Sequence, residues 1–300
     1  MPSVTVILPT FRRPDILGDT MAHLACQTIG SRNIELIVID DDADPAAKQE
    51  VAKKAGCFGD CVYLEQNNEG QSRARNRAVA QAQAELLFFM GDDILLAPDA
   101  LQKHMEFHAG SPHRNVAVMG KIDIDPRQKD DLFIRWLYDS GTQFSFFRMP
   151  GEGYIHPDQA ETAHLSIRRE FARKKPFDER LRYFENYVWA HALFQTGLLF
   201  YYLPGALSHH YHPVNLQKYG ERMSAVGKTI ALLEREGHPY FAAMGQGMRR
   251  ENPFRLLRYK TAGLLFGSRR YLFKYWKNFL NNRRYEGYAG SAAGKNQKPY

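Results

Sequence analysis

Four short apolar runs, each followed by a helix-length amphipathic segment, restrict this chain to few folds. Residues 4–8 (VTVIL), 34–39 (IELIVI), 62–64 (VYL) and 86–90 (LLFFM) read as strands. Helical patterns follow at about residues 14–27, 45–54, 71–84 and 98–108. This alternation predicts an α/β fold: a mostly parallel sheet with helices on both faces. A polar motif follows each run: Pro9-Thr10, Asp40-Asp41-Asp42, Asn67-Asn68-Glu69-Gly70 and Gly91-Asp92-Asp93. Open α/β sheets bind ligands at these carboxyl ends. Beyond residue 110 the pattern predicts strands at 116–119 and 198–203, a helix at 185–195, and loops over 120–160. From Pro213 the chain reads helical, with breaks near Gly237-His238-Pro239 and Asn252-Pro253. Three regions follow: an α/β domain over 1–212, a basic amphipathic helical extension over 213–286, and a disordered tail over 287–300.

Net charge separates the ends of the chain. Residues 249–300 carry 13 Lys/Arg and two acids, leaving 27 basic and 31 acidic residues in 1–248. A mildly acidic body with a strongly basic end assigns the positive charge to a function of its own. The three cysteines make neither a disulfide framework nor a zinc site, which points to a reducing cytoplasm. No secretory signal is legible at the first residues, and no apolar run approaches the ~20 residues that span a bilayer.

The segment LLFFMGDDILL poses an electrostatic problem, because adjacent carboxylates beside a buried strand repel and lose hydration. Gly-Asp-Asp is also good turn chemistry. Two acidic clusters at successive strand ends favour a site. The absence of GxGxxG after the first strand argues against a dinucleotide dehydrogenase, and the absence of GxxxxGK[ST] against a P-loop NTPase. Phosphate binding here would then use a hard divalent cation, Mg²⁺ or Mn²⁺, held by aspartate oxygens.

Five ordered motifs over residues 3–212 resemble the family 2 glycosyltransferases, whose fold is GT-A. VTVILPTFRRPDIL resembles the opening strand and its Pro-Thr-aromatic-Asn/Arg-Arg loop; IELIVIDDDAD resembles the VVDDGS segment; NNEGQSRARNRAV resembles N-x-G-x-x-x-ARN-x-G. LLFFMGDDIL stands where the DxD metal motif belongs, and residues 162–193 resemble the N-L-S-x-R-R…FDE…ED acceptor-side block. The resemblance implies a nucleotide-diphosphate sugar donor, UDP by family habit, and a carbohydrate or lipid-linked acceptor, as in polysaccharide or glycolipid assembly. It places Pro9, Thr10 and Arg12 beside the base, with Asp40 or Asp41 in contact with it and Arg75 and Asn76 nearby. Asp92 would meet ribose or metal, Asp93 would hold Mn²⁺ or Mg²⁺, and His210 or His212 would add a late ligand. Glu185 would lie at the reacting centre of an inverting displacement.

Three positions depart from the pattern: Gly91 replaces the first DxD acid, His164 replaces the Asn of Asn-Leu-Ser, and Asn186 replaces the acid usually credited as base. An amide cannot take a proton from a hydroxyl, so Glu185 becomes the expected base, with Asp158 and Glu161 as alternatives. The same departures support a second reading, a catalytically impaired sugar-nucleotide-binding or scaffold protein. Arg73 and Arg77 read as solvated helix residues, and His104, His108, His113 and His191 as ordinary. Residues 253–285 interleave Arg/Lys with Leu, Phe, Tyr and Trp, which suits an anionic membrane surface better than nucleic acid. The expected location is cytoplasmic, peripheral on the inner face of the membrane.

Overall fold

The computed structural model describes residues 2–144, 149, 151–265 and 267–293. The chain divides into two compact units, residues 1–212 and 213–300.

The first unit is built on one nine-stranded sheet. Strands β1 (Val4–Thr10), β2 (Ile34–Asp40), β3 (Asp60–Glu65) and β4 (Leu86–Met90) alternate with helices α1 (Pro14–Ala25), α2 (Pro45–Ala55) and α3 (Gln71–Gln81). They lie in the order β3-β2-β1-β4 and are all parallel. This half matches the alternation read from the sequence. Its apolar runs are continuous because both faces are covered. Ile7, Ile37, Leu87 and Phe89 feed one core, and Val6, Leu8, Leu36, Val38 and Phe88 the other.

After β5 (Ile94–Leu96), α4 (Ala100–Gly110), β6 (Val116–Ile124) and α5 (Leu132–Asp139), the topology reverses. Next come β7 (Gly153–Ile155), β8 (His164–Arg168), α6 (Arg169–Lys174), α7 (Glu185–Phe194) and β9 (Leu199–His210). β8 runs antiparallel between β4 and β6, and β5 and β7 both pair antiparallel with β9. β6 and β9 are parallel. The sheet is therefore mixed, and its parallel character belongs to the first four strands and the β6/β9 pair.

The β6/β9 ladder shifts register between Gly120 and Lys121: Gly120 faces Leu203, whereas Lys121 faces Leu207. Residues 204–206 of β9 form the excess, a bulge. Gly120 is dictated by crowding there, since a Cβ would lie 2.4 Å from the His164 ring and 2.6 Å from the Ala206 carbonyl oxygen.

The second unit is helical: α8 (Leu216–Arg235), α9 (Pro239–Gly247), α10 (Pro253–Leu265) and α11 (Arg269–Ala293). Its breaks fall where Gly-His-Pro and Asn-Pro predict them. α8 buries Tyr219, Met223, Val226, Ile230 and Leu233 at helical spacing, and α11 buries Trp276 and Leu280. α11 continues through residues 287–293, where small residues predicted a disordered tail; alanine favours helix once a helix is running into it. Residues 294–300 lie outside the described residues. Among the described residues, no helix is long and apolar enough to cross a membrane.

Candidate active site

The site forms at the carboxyl ends of β1 and β4, where β5 and β9 meet them. Ile94 pairs with His210 across the β5/β9 ladder, and the Tyr211 N–H donates to the Asp93 carbonyl at 2.9 Å. That pairing brings Asp93 to His210 and His212, more than a hundred residues away in sequence. Asp93 Oδ2 lies 3.2 Å from His210 Nε2 and 3.0 Å from His212 Nδ1. These three residues form a group whose ligand atoms lie within 4.8 Å of one another. One carboxylate oxygen and two imidazole nitrogens are a fitting donor set for a divalent ion with positions left for phosphate oxygens. The Tyr138 hydroxyl is 2.5 Å from His210 Nδ1 and fixes the ring with Nε2 toward Asp93. His212 is held by its own N–H, which donates to Gln128 Oε1 at 2.8 Å.

The like-charge problem of Asp92 and Asp93 has an internal answer, Arg13. Its guanidinium forks across the pair, with Nη2 at 2.5 Å from Asp92 Oδ1 and Nη1 at 2.7 Å from Asp93 Oδ2. Asp92 also accepts from Thr10 Oγ1 at 2.7 Å, and its carbonyl accepts from Thr20 Oγ1 at 2.5 Å. Burial works to raise both carboxyls. It prevails at Asp92, pushed up to about 6, with the neighbouring Asp93 adding to the rise against Arg13. At Asp93, His210, Arg13 and His212 outweigh burial and hold the carboxyl well below the carboxylate range. Both carboxyls are thus ionised at neutral pH, Asp93 the more firmly. Gly91 serves it as well: a Cβ there would lie 2.9 Å from Asp93 Oδ1 and crowd the carboxylate.

Several residues expected beside the donor make contacts within the protein. The left-handed turn at Arg12 (φ 55°) swings that side chain outward onto Asp42, with Nε 2.8 Å from Oδ2. Arg13, which the motif reading passed over, is left facing the aspartates. Thr10 is in the site, and Pro9, within β1, pairs with Ile39. Asp40 is fully buried and accepts from the N–H groups of Asp42 and Asp44 and from the Tyr63 hydroxyl. Asp41 accepts from the N–H groups of Glu69 and Gly70 and from Gln66 Nε2. Both carboxylates are engaged in organising loops. Asn76 is likewise spent on the backbone of Phe177, donating to its carbonyl and accepting its N–H, each at 2.9 Å.

The acceptor-side block also sorts itself differently from expectation. Glu185, at the first turn of α7, is buried; its Oε1 accepts from Arg75 Nη1 at 3.0 Å and from Gln71 Nε2 at 2.6 Å. Arg75 is therefore the partner of Glu185. Asn186 donates from Nδ2 to the Ala160 carbonyl at 3.0 Å and to Glu161 Oε2 at 2.9 Å. Where the motif would carry an acid, the chain carries an amide that holds one. Glu161 lies just before β8, two residues from Ala163, whose carbonyl accepts from the Gly91 N–H at 3.3 Å. Sequence offered a signal for Arg13, the second arginine of its motif. It offered none for Tyr138 or Gln128, which tertiary structure alone delivers.

His164, the third departure, is fully buried, with Nδ1 2.8 Å from Ser208 Oγ. It joins His104 and His108 of α4, which share Ser166 Oγ at 2.8 and 2.9 Å. The second ring nitrogens of His104 and His108 have no hydrogen-bond partner among the described residues. Burial disfavours their charged forms, bringing His108 down to about 4 and His164 to about 3, with His104 also far below its usual value.

Comparison with known proteins agrees with this architecture. A family profile described as Glycosyl transferase family 2 matches residues 5–179. Over 126 residues the chain is 31% identical to the poly(ribitol-phosphate) beta-N-acetylglucosaminyltransferase TarP of Staphylococcus aureus, covering 42% of this chain and 38% of that one. It is 29% identical over 129 residues to the validoxylamine A glucosyltransferase of Streptomyces hygroscopicus subsp. limoneus, covering 42% and 28%. The matched segments thus span well under half of these relatives. Among solved structures, the mannosyltransferase PcManGT of Pyrobaculum calidifontis, in complex with GDP-Man and Mn²⁺, superposes with a TM-score of 0.63. The identity is 16%, with 98% of this chain and 88% of that one covered. S. aureus TarS 1–349 in complex with UDP gives a TM-score of 0.58 at 16% identity, covering 95% and 90%. These structural likenesses carry the fold, and the profile match carries the family. The chain belongs to glycosyl transferase family 2 and has the GT-A fold.

Proposed function

We propose that this chain moves a sugar from a nucleotide-diphosphate donor, UDP-linked in the first instance, to a hydroxyl of a carbohydrate or lipid-linked acceptor in cell-surface polysaccharide assembly. The observation that carries this reading is the convergence of Asp93, His210 and His212 beside Arg13 at the carboxyl end of the parallel strands. The two imidazoles favour Mn²⁺ over Mg²⁺, which prefers oxygen. Bound there by Asp93, His210 and His212, the ion would stabilise charge on the departing diphosphate as a Lewis acid. Arg13 provides a second cation at the same place, and Thr10 keeps Asp92 oriented. The relatives that act on poly(ribitol-phosphate), and the solved neighbours bound to UDP or GDP-Man, support this donor and acceptor class.

Inversion needs one carboxylate to take the acceptor hydroxyl proton as the sugar leaves. Glu185 is engaged by Arg75 and Gln71, so we assign this role to Glu161, held by the Asn186 amide. Glu185 then orders the α3/α7 contact. Glu161→Gln is expected to lower kcat by about 100- to 1,000-fold with nucleotide binding unchanged. If Glu185→Gln alone produces that loss, the roles are reversed.

The reading as a whole is tested by thermal shift with a panel of nucleotide sugars, with and without Mn²⁺. Stabilisation that requires both supports it; indifference to every nucleotide overturns it. Asn186 also favours a second reading, a donor-binding protein with little turnover, distinguished by tight binding without release of UDP. The helical unit adds an anchoring role. Phe254, Leu257, Leu264 and Leu265 of α10 are 63–80% exposed among Arg255, Arg258 and Lys260, a pattern suited to an anionic lipid surface near a lipid-linked acceptor. Flotation with anionic vesicles at low salt tests it, and absence of binding removes it.

A further inference from the structure

A second group of metal-type ligands lies in the first unit, apart from the donor site. His156 follows β7 and caps the short 3₁₀ turn Pro157–Gln159; Asp158 sits within that turn; His191 lies on α7. The two oxygens of Asp158 meet different imidazoles: Oδ2 is 3.0 Å from His156 Nδ1, and Oδ1 pairs with His191 Nε2. All three ligand atoms lie within 4.8 Å of one another. The rings are held by aromatic contacts. The His191 ring lies tilted against Tyr187 at 4.3 Å, and His156 meets the His191 ring at 5.6 Å and the Phe194 ring at 5.9 Å.

The hydrogen bonding of His156 is in conflict. The Asp158 N–H points at His156 Nδ1 at 3.5 Å, while the Asp158 carboxylate faces the same nitrogen. A nitrogen that accepts the N–H has no proton to offer the carboxylate, so one of the two contacts goes unmade. A cation between nitrogen and carboxylate resolves this, because both then act as lone-pair donors. Two imidazoles and one carboxylate, with a fourth position open to solvent, match the ligand set of Zn²⁺ at about 2.1 Å from each ligand atom. The group is surface-accessible, with His156 and Asp158 exposed, so an ion can reach it.

We propose that His156, Asp158 and His191 form a zinc-class metal site that clamps the 157–159 turn to α7. Its place gives it a consequence for the acceptor side. The clamped turn runs directly into Ala160 and Glu161, which Asn186, on the same helix as His191, already holds. Occupation joins the two ends of this contact and stiffens the segment that carries Glu161.

The test is titration of the metal-stripped full chain with Zn²⁺ by calorimetry, repeated with Co²⁺ and read by its visible absorption. Wild type is compared with His156→Ala, His191→Ala and the double variant, with circular dichroism to confirm folding. The expected result is loss of the same single site in all three variants, each weakening that site by about 100-fold or more. Zn²⁺ should also raise the melting temperature of wild type more than that of any variant. Unchanged stoichiometry and affinity in the variants would overturn the proposal. So would separate losses that add in the double variant, since two independent surface histidines would behave that way.

Discussion

Two buried polar clusters in the α/β unit solve the same physical problem in opposite ways. Asp92 and Asp93 remain a charged site because Arg13, His210 and His212 surround them. His104, His108 and His164, beside Phe88, have no counter-charge among their partners, and burial keeps them neutral. One cluster holds charge with displaceable side-chain partners, the condition for meeting a charged ligand. The other discharges itself and acts as packing with a hydroxyl between rings. A dense group of titratable residues is therefore a site when its charge is retained, and core when it is surrendered.

The largest expected effect tests the charged side of this contrast. Arg13→Ala leaves two buried carboxylates without their guanidinium and should cost about 3–5 kcal/mol of folding stability, read by urea denaturation. A loss under about 1 kcal/mol would mean that the histidines alone balance the pair. Acid tests the neutral side. The folded-state affinities of the three histidines for protons are depressed, so their contribution is present above the unfolded value near pH 6.5 and lost as pH falls below it. Asp92, raised to about 6, works in the opposite direction and offsets part of the loss. His212, which burial also depresses, adds to the loss, so stability read by urea denaturation should fall between about pH 7 and pH 5.5. His104→Gln should shrink this loss.

A smaller effect separates the clusters by ligand. Wild type with UDP at about 100 times its Kd and saturating Mn²⁺ should gain about 2.7 kcal/mol. Asp93→Asn should abolish this gain, whereas His104→Gln should leave it intact; equal losses would erase the distinction. Smallest is Ser166→Ala, which removes the hydroxyl shared by His104 and His108. It should cost about 1 kcal/mol by thermal denaturation without changing the response to nucleotide.

The parallel half of the sheet was legible because its strands are local units, each an apolar run with its own helix. The reversal at β8 was not, since the segment HLSIR pairs with residues some 80 positions earlier and nothing local states its direction. Asp93, His210 and His212 were named from motif position, and their convergence depends on the β5/β9 ladder. Arg12 and Arg13 show the limit of residue-level reading. Both arginines fit the motif, and a single positive φ at Arg12 decides which one faces the aspartates. The loop-organising work of Asp40 and Asp41 was hidden for a related reason: their donors are backbone N–H groups, which every sequence has.

The three-residue excess of β9 at 204–206 sets the phase of everything after it. Downstream, Ser208 and His210 are buried while Leu207 and His209 are not. Adding one residue in that bulge would exchange the two sets, offering His209 to Asp93 in place of His210, whereas removing one would offer Tyr211. The length of this short detour thus works as an address: it selects which of two adjacent histidines reaches the site. In an enzyme built this way, an insertion remote from every ligand could silence the centre while leaving each of its residues in the sequence.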